Sequence, residues 1–320
     1  MDLNRPPALG PGAVLGLIAP SSAPRDPDHS DRGIDRLEAA GFTVRGPRRW
    51  PDQRGYFAAP HARRLQRLND QIADPALDGL IAIRGGYGCL PLLPEIRYER
   101  LRASPRLIVG YSDVSALQLA VLRRSGVPSL AGPMVDPDWA EIDSWTEEQF
   151  LRITGGALPG PIALAPPDAE LRVLRDGRAA GPILASNLTL LTRLVGTDYL
   201  PDLTGAILLL EDVGEPPYRL DGMLAQLQLS GLLDVLGGLL LGRFSESDPE
   251  GPSLSPEEVL DRYAEFVDGP VVSNVAYGHE RPIGSFPVGI DGELEAGDGD
   301  VRLRATAPLT AGPTDAPPTS

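Results

Sequence analysis

Short apolar runs alternate with helix-like segments over the first 130 residues, and this alternation limits the folds that the chain can adopt. Val14–Ala19 and Leu107–Val109 are apolar runs of strand length. Between them, Ala59–Ala73 repeats its large apolar residues at helical spacing. Buried strands that alternate with helices at this spacing form βαβ units. The pattern therefore predicts a parallel sheet covered by helices.

A second series of strands and helices is predicted after residue 170. Ala206–Leu210 and Leu239–Leu241 are apolar runs that we interpret as buried strands. Ser255–Phe266 is predicted to be a helix, because it begins with a serine and has a glutamate three residues later, which is the pattern of a capping box. Glu293–Thr306 alternates as the two arms of a hairpin do. These elements indicate a further α/β unit.

The length of 320 residues favours two domains, since a single hydrophobic core tends to split beyond about 250 residues. Residues 132–167 are rich in Pro, Asp, Trp and Gly without a long periodic run, so we interpret them as a linker that packs across a domain junction. We predict an N-terminal α/β domain over residues 1–150, a linker over 151–170, a C-terminal α/β domain over 171–306 and a flexible tail over 307–320.

The charged residues exclude several classes of partner and mechanism. The formal net charge is −15, which argues against nucleic acids and anionic membranes, because phosphates attract a basic surface. All 29 basic residues are Arg, so no lysine is available for a Schiff base, a Ser–Lys dyad or a Walker P-loop. The one cysteine, Cys89, can form neither an internal disulfide nor a Cys-based zinc cluster. We find no export signal and no apolar run of membrane-spanning length, and we expect a cytoplasmic protein.

Polar residues follow two of the predicted strands of the first unit. The run Ile108–Val114 passes from an apolar strand through glycine to Ser112 and then directly into a helix. A serine on such a turn exposes its hydroxyl above the sheet, as a nucleophile requires, although Ser112 or Asp113 at this place could equally cap the helix. The run Arg84–Gly88 places three glycines after another strand, where their N–H groups could form an oxyanion hole or simply a turn.

Acidic and histidine side chains follow strands of the second unit. Glu211 and Asp212 end an apolar strand, where a carboxylate could orient a histidine or merely face solvent. His279 lies in the loop after a further strand, whereas His29 lies in a charged loop and His61 near the start of an Arg-rich helix. If Ser112 needs a general base, His279 is therefore the best placed of the three histidines, although an isolated loop histidine is commonly structural or exposed.

Several of these motifs together resemble the LD-carboxypeptidases, serine peptidases that trim peptidoglycan peptides. The resemblance rests on the runs Gly85–Gly88, Gly110–Asp113, Ala185–Leu188, Leu194–Pro201 and Leu210–Arg219, which stand in the family's order. It spans most of the chain. The run Ala185–Leu188 differs from relatives that have a glycine pair before the asparagine, which concerns the substrate contacts and not the catalytic residues.

The resemblance implies a catalytic triad of Ser112, Glu211 and His279, with the N–H groups of Gly86 and Asp113 as oxyanion donors. It also implies the fold class: α/β, with an N-terminal flavodoxin-like parallel sheet domain and a C-terminal swivelling β/β/α-type domain, and the site between them. No metal and no organic cofactor is expected. Members of such a family are often dimers, so the resemblance also implies a possible homodimer.

The resemblance further implies a murein peptide substrate, from which the enzyme would release the terminal D-Ala in peptidoglycan recycling. Asn187 and Glu215 are predicted to contact this substrate. In the family's other branch, which hydrolyses microcin-type peptidyl nucleotides, the residue four positions after the triad glutamate is a lysine suited to phosphate. Here that residue is Glu215, whose charge suits the free amine of diaminopimelate or lysine, and this favours the murein peptide.

Two hypotheses from other classes remain open at this point. Two α/β domains joined by linkers also describe non-catalytic binding proteins that close on a ligand by a hinge motion. A cysteine hydrolase built on the same type of sheet would need Cys89 as its nucleophile, but Cys89 follows the glycine loop instead of lying on a strand-to-helix turn.

Overall fold

The computed structural model describes residues 3–249, 251–297 and 300–311. The strands of this described part are β1 (Val14–Ile18), β2 (Thr43–Arg45), β3 (Gly79–Ala82), β4 (Leu107–Gly110), β5 (Ser129–Ala131), β6 (Gly160–Ile162), β7 (Arg172–Arg175), β8 (Gly177–Asn187), β9 (Ile207–Val213), β10 (Gly238–Ser245), β11 (Val271–Ser273), β12 (Phe286–Val288), β13 (Asp291–Gly297) and β14 (Asp300–Ala305). The α-helices are α1 (Pro27–Ala39), α2 (His61–Ala73), α3 (Tyr98–Ala103), α4 (Val114–Ser125), α5 (Ser144–Thr154), α6 (Leu188–Leu194), α7 (Pro217–Leu229) and α8 (Pro256–Ala264). Short 3-10 helices occupy Leu90–Glu95 and Trp139–Glu141.

The strands form two sheets. The first sheet has the order β2-β1-β3-β4-β5-β12, and its strands β1 to β5 are parallel. This order of the five parallel strands is that of flavodoxin-like folds. The second sheet has the order β6-β14-β13-β8-β9-β10-β11-β7, with parallel pairing from β8 to β11 and antiparallel pairing outside them. The predicted fold class, a flavodoxin-like parallel sheet with a second, swivelling β/β/α-type α/β unit, is confirmed.

Helix α4 lies between the two sheets. It contacts β4 and β5 of the first sheet as well as β8 and α6 of the second unit. Ten of its twelve residues are buried, because it has no face left for solvent. It ends at Gly126, whose φ of 71° is the left-handed conformation that glycine adopts readily at a helix C-terminus. Ser112 and Asp113, which precede this helix, are therefore placed at the junction of both sheets.

The segment 132–167, which we expected to be an irregular linker, contains regular structure. Helix α5 begins after Asp143, whose carboxylate accepts a hydrogen bond from the Thr146 N–H at 2.9 Å. The strand β6 then pairs with β14 of the second sheet. The prediction missed β6 because it is three residues long and contains a proline, which the rules of strand periodicity disfavour. It missed α5 because the segment around this helix is rich in Pro, Asp, Trp and Gly.

The predicted division into domains stays a prediction, and one strand crosses it. β12 comes from the predicted C-terminal domain but pairs antiparallel with β5 of the first sheet.

The predicted capping box of α8 is present, with the Ser255 and Glu258 side chains each accepting from the other's backbone. The predicted tail lies, from residue 312 onward, outside the described residues. In the described part of the chain, none of the helices has the length and apolar character needed to cross a membrane.

Candidate active site

Ser112 occupies a strained position between β4 and α4. Its φ of 59° lies in the left-handed region, which is uncommon for a residue with a side chain. This turn raises the hydroxyl above the carboxyl end of the parallel sheet, and Ser112 remains 8% exposed. The observed strand, turn and helix are those that the sequence predicted around Ser112. Strain of this kind persists only where the surrounding structure holds it, as at reactive serines.

His279 connects Ser112 to Glu211. The Nε2 atom of His279 lies 3.0 Å from Ser112 Oγ, and its Nδ1 atom lies 2.8 Å from Glu211 Oε2. The neighbouring Gly278 allows this approach, since its φ is 131° and a Cβ there would lie 3.3 Å from Glu211 Cβ. The Tyr111 ring packs edge-on against the imidazole, with 5.2 Å between the ring centroids. The three side chains predicted to form a triad are thus within hydrogen-bond distance of each other in series.

Glu211 lies on β9 and is fully buried. Its Oε1 atom accepts a hydrogen bond of 3.2 Å from the Asn187 side-chain amide, which also donates to Asp212 Oδ1 at 2.9 Å. Asn187 lies opposite Glu211 in the parallel register of β8 and β9, and its Oδ1 atom caps α6 by accepting from the Leu190 N–H. The side-chain amide of Asn187 therefore positions Glu211 and caps α6. Its contact with substrate stays a prediction.

The proton equilibria of the pair differ from those of free side chains. Burial lowers the pKa of His279, but the carboxylates of Glu211, Asp138 and Asp212, of which Glu211 has the largest effect, together outweigh burial, and the net shift is upward from the ordinary value of 6.5. Burial raises the pKa of Glu211, and the neighbouring imidazole opposes that rise. The carboxylate thus favours the imidazolium form of His279, which is the form that arises when a histidine removes a proton from serine.

The glycine loop after β3 lies directly against Ser112. A Cβ atom on Gly85 would lie 2.8 Å from Ser112 Oγ, closer than real side-chain carbons approach. In the described part of the chain, the N–H groups of Gly86 and Asp113 donate no hydrogen bond, so both remain free for a ligand. The Asp113 carboxylate instead accepts from Ser21 Oγ at 2.6 Å and from the Cys89 N–H at 2.9 Å, which ties this loop to the Ser112 turn.

We expect Gly85→Ala to lower kcat/KM about 100-fold, because the added methyl group must displace the Ser112 side chain by a large part of an ångström. Steady-state kinetics with a murein tetrapeptide would measure this loss. Gly222→Ala on α7 is the matched control, since a Cβ there meets nothing within 4 Å. Full activity of Gly85→Ala would show that the loop is not in contact with the reacting serine.

Cys89 is not placed to act as a nucleophile. Its thiol is only 1% exposed, and burial raises the pKa of Cys89 well above its ordinary value. Because the thiolate is the reactive form, this shift makes the side chain inert. The hypothesis of a cysteine hydrolase is therefore wrong.

The remaining histidines lie in other surroundings. His61 Nε2 is 2.9 Å from Glu95 on the surface. His29 lies between Asp136 and Glu141, at 3.8 Å and 3.6 Å from their carboxylates. Within residues 3–249, 251–297 and 300–311, no group of three or more His, Cys, Asp or Glu side chains is arranged to hold a metal ion.

Two cavities meet at Ser112 and His279. The smaller, of about 320 Å³, extends along Tyr111, Met134 and Pro137. The larger, of about 750 Å³, extends towards the second sheet and includes the predicted contact residues Asn187 and Glu215.

Glu215 takes part in an ion pair at the wall of the larger cavity. Its carboxylate lies 3.4 Å from the Arg219 guanidinium, one helical turn further along the chain, and its side chain is 19% exposed. Glu215 therefore both faces the cavity and has a partner in the protein.

Asp138 and Arg84 border the site, although the sequence analysis assigned them no role. Asp138 accepts hydrogen bonds from the Met134 N–H at 2.7 Å and from the Tyr111 hydroxyl at 3.3 Å. Burial raises the pKa of Asp138 to about 7. It lies in the segment that we interpreted as a linker, so no strand end drew attention to it. Arg84 follows β3 at the carboxyl end of the parallel sheet, a position that is by itself a signal for ligand contact.

Comparison with known proteins matches both parts of the chain to one family. Residues 15–132 match the LD-carboxypeptidase N-terminal domain, and residues 180–294 match the LD-carboxypeptidase C-terminal domain. A putative carboxypeptidase of Synechocystis sp. is 35% identical over 303 residues, covering 92% of this chain and 95% of the relative. The murein tetrapeptide carboxypeptidase of Pseudomonas aeruginosa is 34% identical over 287 residues, covering 88% and 92%. The microcin C7 self-immunity protein of Escherichia coli is 25% identical over 311 residues, covering 88% and 90%.

Solved structures agree with these sequence matches. The muramoyltetrapeptide carboxypeptidase from Oxalobacter formigenes has a TM-score of 0.79 at 28% identity, with 92% of this chain and 99% of that one covered. A microcin C7 self-immunity protein structure has a TM-score of 0.88 at 21% identity, with 96% and 100% covered, which is a likeness of fold. The two domain matches and the relatives above 30% identity lead to one conclusion: the chain belongs to the LD-carboxypeptidase family and is a serine-type carboxypeptidase.

Proposed function

We propose that this protein is a cytoplasmic murein tetrapeptide carboxypeptidase, which releases the terminal D-Ala during peptidoglycan recycling through Ser112, His279 and Glu211. The observation that carries the proposal is the series of two hydrogen-bond distances, 3.0 Å from Ser112 Oγ to His279 Nε2 and 2.8 Å from His279 Nδ1 to Glu211 Oε2. A nucleophile, a base and a group that orients the base are the parts that acyl transfer by serine needs.

The reaction would follow from the roles of these side chains. His279 removes the proton from the Ser112 hydroxyl as the oxygen attacks the carbonyl carbon of the scissile bond. Glu211 holds the imidazole in the tautomer that has its proton on Nδ1, and its charge stabilises the imidazolium that forms. The imidazolium then gives its proton to the leaving amine, and water hydrolyses the acyl-enzyme by the same steps.

The oxyanion of the tetrahedral intermediate needs donors that are already in place. The N–H groups of Gly86 and Asp113 suit this role, since they lie on two loops that meet at Ser112 and neither is used within the described chain. Each such donor contributes about 3 kcal/mol to the stabilisation of the transition state. Because the loops are tied together through the Asp113 side chain, little reorganisation is required during the reaction.

Acidic side chains of the larger cavity, which also has three arginines in its wall, support a murein peptide as substrate. Asp212, Glu215 and Glu246 line it, and carboxylates attract the free amine of diaminopimelate or lysine. The murein tetrapeptide carboxypeptidase of Pseudomonas aeruginosa, at 34% identity, is named for such a substrate.

A peptidyl nucleotide is the second candidate substrate, because the relatives include a microcin C7 self-immunity protein. A nucleotide phosphate would meet Glu215 where that branch of the family has a lysine, and this chain contains no lysine. We therefore favour the murein peptide. Preferential hydrolysis of an aminoacyl-nucleotide analogue over murein tetrapeptide would reverse the choice.

Incubation with murein tri-, tetra- and pentapeptides, followed by mass spectrometry, tests the proposed function. We expect the tetrapeptide to lose one alanine residue and the tripeptide to remain intact. Labelling by a fluorophosphonate probe in the wild type and its loss in Ser112→Ala would distinguish the enzyme from a non-catalytic binding protein. If the tetrapeptide is unchanged but the serine reacts with the probe, the protein is a serine hydrolase that acts on another substrate.

We expect Glu215→Gln to raise KM for the murein tetrapeptide about tenfold with kcat unchanged, because it removes an attraction that substrate and transition state share. Steady-state kinetics measure KM, and circular dichroism verifies the fold. Arg219→Gln is the matched control: it breaks the ion pair at 3.4 Å but leaves the carboxylate in the cavity. Equal KM values in wild type and Glu215→Gln would show that Glu215 does not bind the substrate and only pairs with Arg219.

A further inference from the structure

The two cavities that meet at Ser112 differ in their acidic side chains. Glu215 and Glu246 line only the larger cavity. Arg25 and Arg84 line both cavities, at the place where they join. Both cavities also have acids of their own in their walls, so what a substrate that crosses Ser112 meets at the junction is the pair of guanidinium groups.

Arg84 lies close to the reacting atoms and lacks an acidic partner. It directly precedes Gly85, the glycine whose Cβ would lie 2.8 Å from Ser112 Oγ. Its Nη1 atom donates one long hydrogen bond of 3.3 Å to the Ala23 carbonyl. Within the described residues, neither Arg84 nor Arg25 forms an ion pair within 4.0 Å. Burial lowers the pKa of Arg84, and the charge of Arg25 adds to that effect while Asp136 opposes it. An anion between the two arginines would reduce the repulsion between them.

The acids that line the smaller cavity already have other partners. Asp26 caps α1 by accepting from the Asp28 N–H at 2.9 Å. Asp136 accepts from Ser30 Oγ at 3.0 Å and lies 3.8 Å from His29 Nδ1. Asp136 is close enough to raise the pKa of Arg84, but in the described part of the chain neither carboxylate is within 4.0 Å of either guanidinium, so both groups keep most of their donors free.

We propose that Arg84 and Arg25 bind the C-terminal carboxylate of the peptide, so that the smaller cavity holds the leaving amino acid and the larger cavity holds the acyl part. This assignment rests on the proposed function. A guanidinium presents a planar fork of donors that matches a carboxylate. The walls of Tyr111, Met134 and Pro137 then enclose the small side chain of the leaving residue.

The assignment explains why such a site would act on the last residue only. A peptide with a further residue after the scissile bond would carry its carboxylate beyond the two arginines and would place a neutral peptide group beside them. A peptide amide would lose the charge itself. Both changes leave the guanidinium groups without their anion, which costs more than the absence of one contact.

The test compares a murein tetrapeptide with its C-terminal carboxamide. We expect the wild type to hydrolyse the acid with a kcat/KM about 100-fold above that of the amide. Arg84→Gln is expected to lower kcat/KM about 10- to 100-fold for the acid and hardly at all for the amide, so that the preference falls to about tenfold or less. Arg84→Lys, which keeps the charge without the fork, should give an intermediate preference. Arg193→Gln, which removes an exposed guanidinium from the larger cavity only, should retain the full preference.

The outcomes separate this inference from the proposed function. If the wild type releases D-Ala and Arg84→Gln slows acid and amide equally, the carboxylate site is overturned while the carboxypeptidase activity stands. If the wild type hydrolyses neither peptide, the proposed function fails and the carboxylate site fails with it. If circular dichroism shows that Arg84→Gln does not fold, the acid and the amide are compared with Arg25→Gln instead, because Arg25 is exposed and its substitution should not disturb the fold.

Discussion

Ser112→Ala is expected to lower kcat for the murein tetrapeptide about 10⁶-fold, because the hydroxyl that lies 3.0 Å from His279 Nε2 is lost. Release of D-Ala, followed by mass spectrometry over several days, measures the residual rate. We expect that rate to remain above that of water alone, since the oxyanion donors and the bound geometry are still present.

Ser112→Gly is the matched second variant. It lacks the hydroxyl as well, but glycine adopts the φ of 59° without the cost of about 1 kcal/mol that a Cβ meets in the left-handed region. Thermal unfolding should therefore give a higher Tm for Ser112→Gly than for Ser112→Ala, while both are inactive. A loss of kcat far smaller than about 10⁶-fold in both variants would move the nucleophile to another residue.

Glu211→Gln is expected to lower kcat about 10⁴-fold with little change in structure. The Gln amide would present a donor to His279 Nδ1, where the carboxylate now lies 2.8 Å away as an acceptor. The imidazole would then carry its proton on Nε2, facing Ser112 Oγ, and could not accept the hydroxyl proton. Glu280→Gln removes an exposed carboxylate adjacent to His279 in the chain and should leave kcat within about twofold.

The same variant predicts a displacement of the pH profile. His279 acts as a base only when neutral, so kcat/KM falls as the pH falls through the pKa of His279. Because the Glu211 carboxylate raises this pKa above 6.5, the acid limb of the wild type should lie above 6.5. In Glu211→Gln the largest raising charge is gone and only Asp138 and Asp212 remain to oppose burial, so the limb should move to lower pH. An acid limb at the same pH in both proteins would contradict the assigned contact.

The residues with the clearest sequence signal were those at the ends of strands. Ser112 and Glu211 each follow an apolar run in the printed sequence, and in the structure both lie at the carboxyl ends of parallel strands, where ligands bind in open α/β sheets. His279 followed by elimination among three histidines and by the family resemblance. Their distances could not be predicted, because strands of two different sheets carry them and no local pattern sets how those sheets approach.

The residues that were missed depend on tertiary contacts. Asp138 lies in an irregular segment, and its role becomes visible only once the Tyr111 hydroxyl is seen to donate to it. The arginines of the site are hidden in a chain with 29 of them, and Arg84 is distinguished only by its place beside Gly85, where the two cavities join. Asn187 was recognised as part of a motif, but its hydrogen bond to Glu211 follows from the register of β8 against β9, which the sequence does not encode locally.

The loop that carries His279 is attached at its two ends to different sheets. It leaves β11 in the second sheet and enters β12 in the first. Ser112 belongs to the first sheet and Glu211 to the second, so the imidazole spans the joint between them. A displacement of one sheet against the other would change the distances from His279 to Ser112 and to Glu211. Proton transfer therefore depends on how the two sheets are positioned against each other. A substitution far from the cleft that shifts one sheet would lower kcat while the melting temperature stayed the same.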